Sequence, residues 1–173
     1  MLIIGLGNPE RALEATYHNV GVLAVQWLAH YAAGDDANAV SFRRHGDLFE
    51  YAKTDGKIFI RPLVYMNESG RAVHDAMHAF DASAKNIVVI HDESDITIGD
   101  YRISTAGRAA GHKGIQSIID HLHTEEFKRI RIGIREKDEA HRKKAGDFVL
   151  SPISQSNQKI FDEVFAKIAG DLF

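Results

Sequence analysis

The sequence predicts an α/β fold: a single three-layer domain over residues 1–173, with a twisted mixed, mostly parallel sheet flanked by helices. Two observations carry this prediction. Short runs rich in isoleucine and valine, typical of strands, alternate along the chain with longer segments whose apolar residues recur at helical spacing. Such alternation is typical of a sheet whose faces are both covered by helices.

Five strands are predicted from the apolar runs. They are Leu2–Leu6, Leu48–Lys53 (a weaker run), Lys57–Leu63, Ile87–Ile90 and Ile130–Ile134. The pair Asp55-Gly56 separates the second run from the third. Because this dipeptide favours a two-residue hairpin turn, residues 48–63 are expected to form an antiparallel hairpin within the otherwise parallel sheet.

Four helices are predicted between and after these strands. Their apolar stripes run from Val20 to Tyr31, from Ala72 to Phe80, from Ile115 to Leu122 and from Ile160 to Leu172. Each stripe can cover a sheet face. Pro152 interrupts the chain before the last stripe, which we therefore expect to be a docked terminal helix. The stretches 32–39 and 136–146 are expected to be loops.

The composition excludes several classes of protein. The chain has no cysteine, so disulfides, thiol nucleophiles and cysteine-ligated metals are excluded. Its amino-terminal apolar run is too short for a signal peptide, and no stretch approaches the roughly 18 apolar residues of a membrane span. We therefore expect a soluble, cytoplasmic protein with no membrane partner.

Positive charge is concentrated in one segment. The formal net charge of the chain is −3, but residues 101–146 hold eleven Lys or Arg against six acids. This segment therefore carries +5 and the rest of the chain −8. The asymmetry is typical of a polyanion-binding face on an acidic body, although basic and acidic segments also neutralise one another in folded proteins. Both interpretations stay open at this point.

Polar clusters follow the predicted strands. They are Gly5–Pro9, Tyr65–Gly70 and His91–Asp95, while a fourth, Gly111–Gly114, opens a helix. Ligands of open parallel sheets bind beyond the carboxyl ends of the strands. If the strands are parallel, the first three clusters share one rim of the sheet, and that rim is the candidate site.

His18, at the predicted start of the first helix, is a candidate general base. A histidine with a carboxylate partner such as Asp92 can take up a proton near neutral pH, and the amides of Asn8 and Asn67 can stabilise a developing oxyanion. No G-x-S-x-G motif occurs, so the nucleophile would be water. Because the chain has ten histidines, a purely structural role for His18 is the alternative.

Two other chemistries fit the same clusters. Gly5-x-Gly7 after a strand matches part of a dinucleotide-binding fingerprint but lacks its third glycine. Residues 91–95 are dense in hard metal ligands, and His74 and His78 are spaced i, i+4, but the HExxH motif is absent. A metal-dependent hydrolase therefore remains an alternative hypothesis.

Six ordered motifs, covering nearly the whole chain, resemble those of the bacterial-type peptidyl-tRNA hydrolase family. They are Ile-Gly-Leu-Gly-Asn-Pro at 4–9, Thr-x-His-Asn-x-Gly at 16–21, Arg-Pro-x-x-Tyr-Met-Asn-x-Ser-Gly at 61–70, Asp-Glu-x-Asp-Ile at 92–96, Gly-His-x-Gly at 111–114 and Phe-Val-Leu-Ser at 148–151. The resemblance implies an α/β domain that hydrolyses the ester between peptide and tRNA, recycling tRNA from stalled translation. It implies peptidyl-tRNA as partner and no metal or cofactor, and we expect a monomer.

The resemblance also implies roles for individual residues. His18 matches the general base that activates water, and Asp92 matches the acid that orients and stabilises it. Asn67 matches an amide that binds substrate and steadies the oxyanion. Asn8 matches the residue that separates blocked from free aminoacyl ends.

Several positions depart from the family's pattern. Lys113 replaces the Asn of Gly-His-Asn-Gly, so an amide that donates and accepts becomes a cation that only donates. Leu13 replaces a tRNA-contacting Tyr. Tyr65 stands where Phe is usual, beside Met66, and is expected to pack on the terminal nucleotide or the peptide. All four are predicted to bind substrate.

The residues that would hold tRNA phosphate also differ. Ser104 stands where a Lys often clamps the 5′ phosphate, which leaves Arg102, Arg108 and Arg131 as the predicted phosphate contacts. Phosphate contacts carry no sequence information, which suits a substrate class of many tRNAs. The residues at 13, 104 and 113 also favour an alternative: a catalytically impaired hydrolase-like protein that binds RNA or a partner.

Overall fold

The computed structural model describes residues 1–34, 40–136 and 148–173, and its centre is a seven-stranded sheet. The strands are β1 (Leu2–Gly5), β2 (Arg43–His45), β3 (Phe49–Thr54), β4 (Lys57–Pro62), β5 (Ile87–Thr97), β6 (Tyr101–Ser104) and β7 (Lys128–Arg135), in the order β2-β3-β4-β1-β5-β7-β6. The pairings among β4, β1, β5 and β7 are parallel. The pairings of β2 with β3, β3 with β4 and β6 with β7 are antiparallel, so the sheet is mixed, as predicted.

Helices cover both faces of this sheet. Those in the described residues are α1 (Val20–Ala33), α2 (Ser69–Ala79), α3 (Lys113–Leu122) and α4 (Gln155–Leu172). One core joins α1 and α4 to Ile3 and Ile90, and a second joins α2 and α3 to Ile4 and Val89. Because successive side chains of a strand point to opposite faces, β1 and β5 contribute to both cores. The predicted three-layer arrangement is confirmed.

The predicted hairpin joins β3 to β4. Asp55 and Gly56 have φ angles of 49° and 68°, and Thr54 pairs with Lys57 across the turn. Positive φ at both central residues is the geometry that an Asp-Gly turn supplies at low cost. This part of the sequence interpretation is confirmed.

The sheet extends beyond the prediction in three places. β2 and β6 were not predicted, because β2 is polar and fully exposed and only one residue of β6 is aliphatic. β5 runs on to Thr97 instead of ending at Ile90, and Asp92 pairs with Ile132 of β7. The hydrogen-bonding backbone of β7 holds this polar stretch in the sheet whatever its side chains are. Asp92 therefore lies within a strand and not in a loop after it.

The first turn of α1 touches the centre of the sheet through main-chain atoms. A Cβ built on Gly21 would lie 2.3 Å from the carbonyl oxygen of Ile90 and 2.7 Å from that of Leu6. A Cβ built on Gly5 would lie 2.2 Å from the carbonyl oxygen of Gly21. Only glycine permits such an approach of backbone to backbone. The contact fixes the start of α1, and with it His18, over β1 and β5.

Residues 35–39 and 137–147 lie outside the described part of the chain, and they include most of the two predicted loops, 32–39 and 136–146. The second range contains four of the basic residues counted in the positive segment, Lys137, Arg142, Lys143 and Lys144. Within the described ranges, no helix is both long enough and apolar enough to span a membrane.

Candidate active site

A cavity of about 430 Å³ brings most of the predicted site residues together. The predicted residues in its wall are Asn8, His18, Tyr65, Met66, Asn67, Asp92 and Lys113. Seven others also line it, and sequence reasoning gave a role only to Glu93 among them, as a candidate metal ligand; they are Glu93, Ser94, Ala110, Gly111, His112, Val149 and Leu150. The wall is built from the segments after β1 and β4, from β5, from the start of α3 and from the segment before α4. The four polar clusters therefore meet at one site.

His18 and Asp92 are in direct contact. His18 lies in a short 3₁₀ turn before α1, and its Nδ1 is 2.8 Å from Oδ1 of Asp92, a buried side chain on β5. An ionised carboxylate only accepts hydrogen bonds, so Nδ1 of His18 carries the ring proton. Nε2 is then the nitrogen with the free lone pair, and it has no hydrogen-bond partner among the residues described. This is the tautomer that a general base requires.

His112 contacts the same carboxylate oxygen. It caps the start of α3, where its Nδ1 accepts a hydrogen bond from the backbone N–H of Ile115 at 3.3 Å. Its Nε2 lies 3.0 Å from Oδ1 of Asp92. Because Nδ1 accepts, Nε2 carries the proton and donates to Asp92. One carboxylate oxygen thereby fixes the tautomers of two histidines.

The Asp92 carboxyl is strongly biased towards its ionised form. Burial by itself raises its pKa, but the charge and hydrogen bond of His112, together with the hydrogen bond and charge of His18, lower the pKa well below its ordinary value. Hydrogen bonds to the charged form of a carboxyl act in this direction. The site therefore holds a buried negative charge whose two donors are imidazole N–H groups.

A third histidine lies next to this pair. His91 is buried, and its ring packs edge-on against that of His112 with centroids 4.6 Å apart. Its Nδ1 lies 2.7 Å from the carbonyl oxygen of Asp92 and donates to it, since a carbonyl only accepts. Burial, reinforced by the charge of His112, lowers the pKa of His91 well below its ordinary value. The ring is neutral, and its Nε2 is buried with no partner among the described residues.

Two amide side chains face the same cavity. The side chain of the buried Asn19 bonds both backbone groups of Asn8, at 2.8 Å and 2.9 Å, and so clamps the segment after β1. Oδ1 of Asn8 accepts the backbone N–H of Met66 at 3.0 Å. This leaves Nδ2 of Asn8 and the whole exposed amide of Asn67 unpaired within the described residues. Both can donate to a ligand.

The Phe-Val-Leu-Ser motif at 148–151 packs against the His18 turn. The backbone N–H of His18 donates to the carbonyl oxygen of Val149 at 2.7 Å. The ring of Phe148 stacks on that of the buried Tyr17 with centroids 4.3 Å apart. The side chain of Leu150 is 48% exposed and forms an apolar part of the cavity wall. The motif thus holds His18 and supplies an apolar surface beside it.

The substituted positions 65 and 113 both lie in the cavity wall. Tyr65 is half exposed, and its hydroxyl donates to Glu10, whose hydrogen bond and charge raise the pKa of Tyr65. Lys113 is the first residue of α3, is exposed, and has no ion-pair partner among the residues described. Because a helix N-terminus also carries partial positive charge, this side of the cavity favours an anionic group.

The remaining predicted residues lie outside the cavity wall. Leu13 is half-buried in a 3₁₀ turn formed by residues 11–13 and does not line the cavity, so its contact with substrate stays a prediction. Arg102 on β6 and Arg108 in the segment before α3 are exposed. Arg131 donates to one oxygen of Glu93 through two nitrogens, at 2.8 Å and 3.0 Å, so its charge is already paired.

The same side chains include a set that could act as ligands of a metal ion. One ligand atom from each of His18, Asp92 and His112 lies within 4.8 Å of the others. Of the predicted metal-binding stretch 91–95, only Asp92 takes part. Metal ligation needs a deprotonated nitrogen, whereas the two nitrogens that face Asp92 carry protons. A metal held through those two nitrogens would therefore require both rings to change tautomer, and His112 would then lose the hydrogen bond from Ile115. The unprotonated Nε2 of His18 needs no such change.

Comparison with known proteins gives consistent results. The family model described as "Peptidyl-tRNA hydrolase" matches residues 2–172. The peptidyl-tRNA hydrolase of Ligilactobacillus salivarius is 37% identical over 94% of this chain and 85% of its own length. That of Lactobacillus delbrueckii subsp. bulgaricus is 40% identical over 96% of this chain and 88% of its own. The crystal structure of peptidyl-tRNA hydrolase from Acinetobacter baumannii superposes with a TM-score of 0.80 at 26% identity, covering 98% of this chain and 84% of that one.

Proposed function

The chain belongs to the peptidyl-tRNA hydrolase family, and on that premise we propose that it hydrolyses the ester bond between peptide and tRNA. The observation that carries the proposal is the His18–Asp92 contact at 2.8 Å, which leaves Nε2 of His18 free as a base, in a cavity where the amide nitrogens of Asn8 and Asn67 have no partner among the described residues. Such a cavity suits attack by water on a carbonyl carbon.

Water is the nucleophile, and His18 moves its proton. Nε2 of His18 takes a proton from water while the water oxygen bonds to the ester carbonyl carbon. The imidazolium that forms is stabilised by Asp92. When the tetrahedral intermediate collapses, the bond to the ribose oxygen breaks and the same Nε2–H returns the proton to that oxygen. The products are a peptide with a free carboxylate and a tRNA with a free terminal ribose.

The oxyanion of the intermediate is stabilised by other side chains of the cavity wall. Asn67 and Nδ2 of Asn8 are the neutral donors, and the ammonium of Lys113 adds a positive charge where the family pattern has an amide. Loss of one such donor typically costs about 3 kcal/mol of transition-state stabilisation. Tyr65 and Met66 offer a surface for the terminal nucleotide or the adjoining peptide residue.

The body of the tRNA is held by phosphate contacts on the basic segment. Arg102 and Arg108 are exposed and available, while Arg131 must exchange Glu93 for a phosphate before it can contribute. Binding should weaken steeply as salt rises, with the slope set by the number of phosphates contacted. We also propose that residues 1–173 act as one domain, that the enzyme is a monomer, and that it works in the cytoplasm.

Release of N-acetylated aminoacyl groups from tRNA tests the proposal. Loss of the general base in His18→Ala should lower the rate roughly 10²- to 10⁴-fold, whereas His78→Ala, an exposed histidine on α2, should leave it unchanged. Equal rates for the wild type and His18→Ala would refute the assignment. Rates that fall in EDTA would instead support a metal-dependent hydrolase.

The alternative function is a catalytically impaired protein that binds RNA or a partner. Lys113 favours it, because this cation stands in the cavity where the family pattern has an amide. The hydrolytic rates of the wild type and of Lys113→Asn distinguish the active hydrolase from the impaired binding protein. If the wild type is inert and Lys113→Asn becomes active, the natural chain is impaired. If the wild type is active, the lysine belongs to a working site.

A further inference from the structure

A buried arginine is bonded to the segment that leads into α3. Arg129 on β7 is only 3% exposed, and its guanidinium lies over the ring of Phe127, 4.9 Å from the centroid. It makes no salt bridge with any described residue; instead it donates to the backbone carbonyls of Gly107 and Arg108, the latter at 3.0 Å. Its Nε is buried and unpaired within the described chain. Burying a charge is costly. The bonds to these two carbonyls are the structural role that we assign to this buried guanidinium.

The segment tied down by Arg129 has an unusual backbone. Gly107, Ala110 and Gly111 have φ angles of 135°, 48° and 88°. Positive φ is unfavourable for a residue with a Cβ such as Ala110, so the conformation is imposed by contacts outside the segment. The guanidinium of Arg129 is such a contact, since it binds two consecutive carbonyls at the beginning of the segment.

A short chain of bonds connects this anchor to the Asp92 site. The residue after Arg108 is the buried Ala109, whose carbonyl oxygen accepts the backbone N–H of His112 at 2.9 Å. His112 in turn donates from Nε2 to Asp92 at 3.0 Å. The next residue is Lys113, in the cavity wall. Displacing the segment from Arg129 would therefore move both side chains.

We propose that Arg129 is a positioning residue for the hydrolysis: by binding the carbonyls of Gly107 and Arg108, it sets the segment that places His112 on Asp92 and Lys113 in the cavity. The kinetic part of this inference rests on the proposed function. Because Arg129 is buried, it acts through the segment and not through a contact with tRNA phosphate.

Two variants of Arg129 and one control test the kinetic part. Arg129→Gln should lower kcat roughly ten- to a hundredfold, as expected for a small misplacement of catalytic groups. Arg129→Lys keeps the charge and should recover part of the loss. The control is Arg135→Gln, an arginine of the same strand whose guanidinium donates to Thr97 and to no other described residue, and it should leave kcat unchanged. Urea unfolding of each variant identifies those that are folded. If Arg129→Gln is unfolded, the kcat of Arg129→Lys alone tests the proposal, and a value below that of the wild type is expected.

Salt dependence separates positioning from phosphate binding. A lost phosphate contact reduces the slope of log KM against log salt by about one, whereas the Arg129 variants should keep the wild-type slope. A reduced slope, or an unchanged kcat in the folded Arg129 variants, would overturn the proposal.

Imidazole NMR of the free protein provides a readout that needs no hydrolysis. The Nε2–H of His112 should give a hydrogen-bonded proton signal in the wild type that is lost or shifted in the Arg129 variants and retained in Arg135→Gln. An unchanged His112 signal would overturn the inference. If the wild type proves inert in the assay, the proposed function fails, and this spectrum still decides whether Arg129 positions His112.

Discussion

Replacing Asp92 by asparagine tests the central electrostatic argument. The substitution keeps the shape of the side chain and an oxygen that can accept hydrogen bonds, but removes the negative charge beside His18. In the proposed reaction His18 becomes an imidazolium in contact with this carboxylate, whose Oδ1 lies 2.8 Å from Nδ1 of His18 in the structure. Two unit charges with centres about 4 Å apart interact by about 4 kcal/mol at an effective dielectric constant of about 20. Since about 1.36 kcal/mol corresponds to a tenfold change in rate, Asp92→Asn should lower kcat about a thousandfold.

Single-turnover release of N-acetylated aminoacyl groups from tRNA measures this effect without interference from product release. Asp95→Asn is the matched control, because Asp95 is an exposed acid on the same strand whose side chain has no hydrogen bond within the described structure. It should stay within about threefold of the wild type, as a screened surface charge does. A role for the Asp92 charge is refuted if Asp92→Asn keeps more than about a tenth of wild-type activity. It is also refuted if Asp95→Asn loses as much activity as Asp92→Asn.

Three further predictions concern stability and titration. Gly21→Ala should destabilise the fold by about 2–3 kcal/mol, because its Cβ would lie 2.3 Å from a carbonyl oxygen. Gly170→Ala in α4, with nothing within 4 Å, should stabilise it by up to about 1 kcal/mol in urea unfolding; equal effects would contradict the close contact. Because the folded pKa of Asp92 lies below the unfolded value of about 3.9, its ionisation contributes stability above about pH 4 that is lost on acidification. The wild type should therefore lose more unfolding free energy than Asp92→Asn between about pH 5 and pH 3, and parallel losses would refute this. Glu10→Gln should move the ultraviolet titration of Tyr65 to lower pH, since Glu10 raises its pKa; an unmoved titration would contradict the hydrogen bond.

The sequence predicted the parts of the fold that are built from apolar side chains. The central strands and the four helices have cores of isoleucine, valine and phenylalanine, and their spacing is visible in the chain. β2 was missed because its side chains are exposed and polar, so only backbone pairing defines it. The polar stretch around Asp92 was placed after the strand because its side chains are not aliphatic, and its pairing partner, β7, is about 40 residues away in the chain.

The sequence indicated the site residues that stand in motifs. It did not indicate those that reach the site only through the packing of separate elements. His18 and Asp92 stand in recognisable motifs, and the structure brings them into contact. The contact of His112 with the same oxygen could not be foreseen, because it depends on how α3 sits against β5. The role of Asn19 as a clamp on Asn8 depends likewise on the fold, since eleven residues separate them. Leu13 was predicted to contact substrate only from its position in the family pattern. It does not line the cavity.

The main-chain contact at Gly21, at the start of α1, limits which substitutions leave His18 in place. His18 lies three residues before Gly21, where α1 makes its main-chain contact with the central strands, and Asp92 lies two residues beyond Ile90 on one of those strands. The spacing of His18 and Asp92 thus depends on a contact between peptide groups as well as on core packing such as that of Tyr17 on Phe148. A side chain at Gly5 or Gly21 would separate α1 from the two central strands and so move His18 away from Asp92. Any redesign of this scaffold that is meant to keep the pair together must therefore keep both glycines.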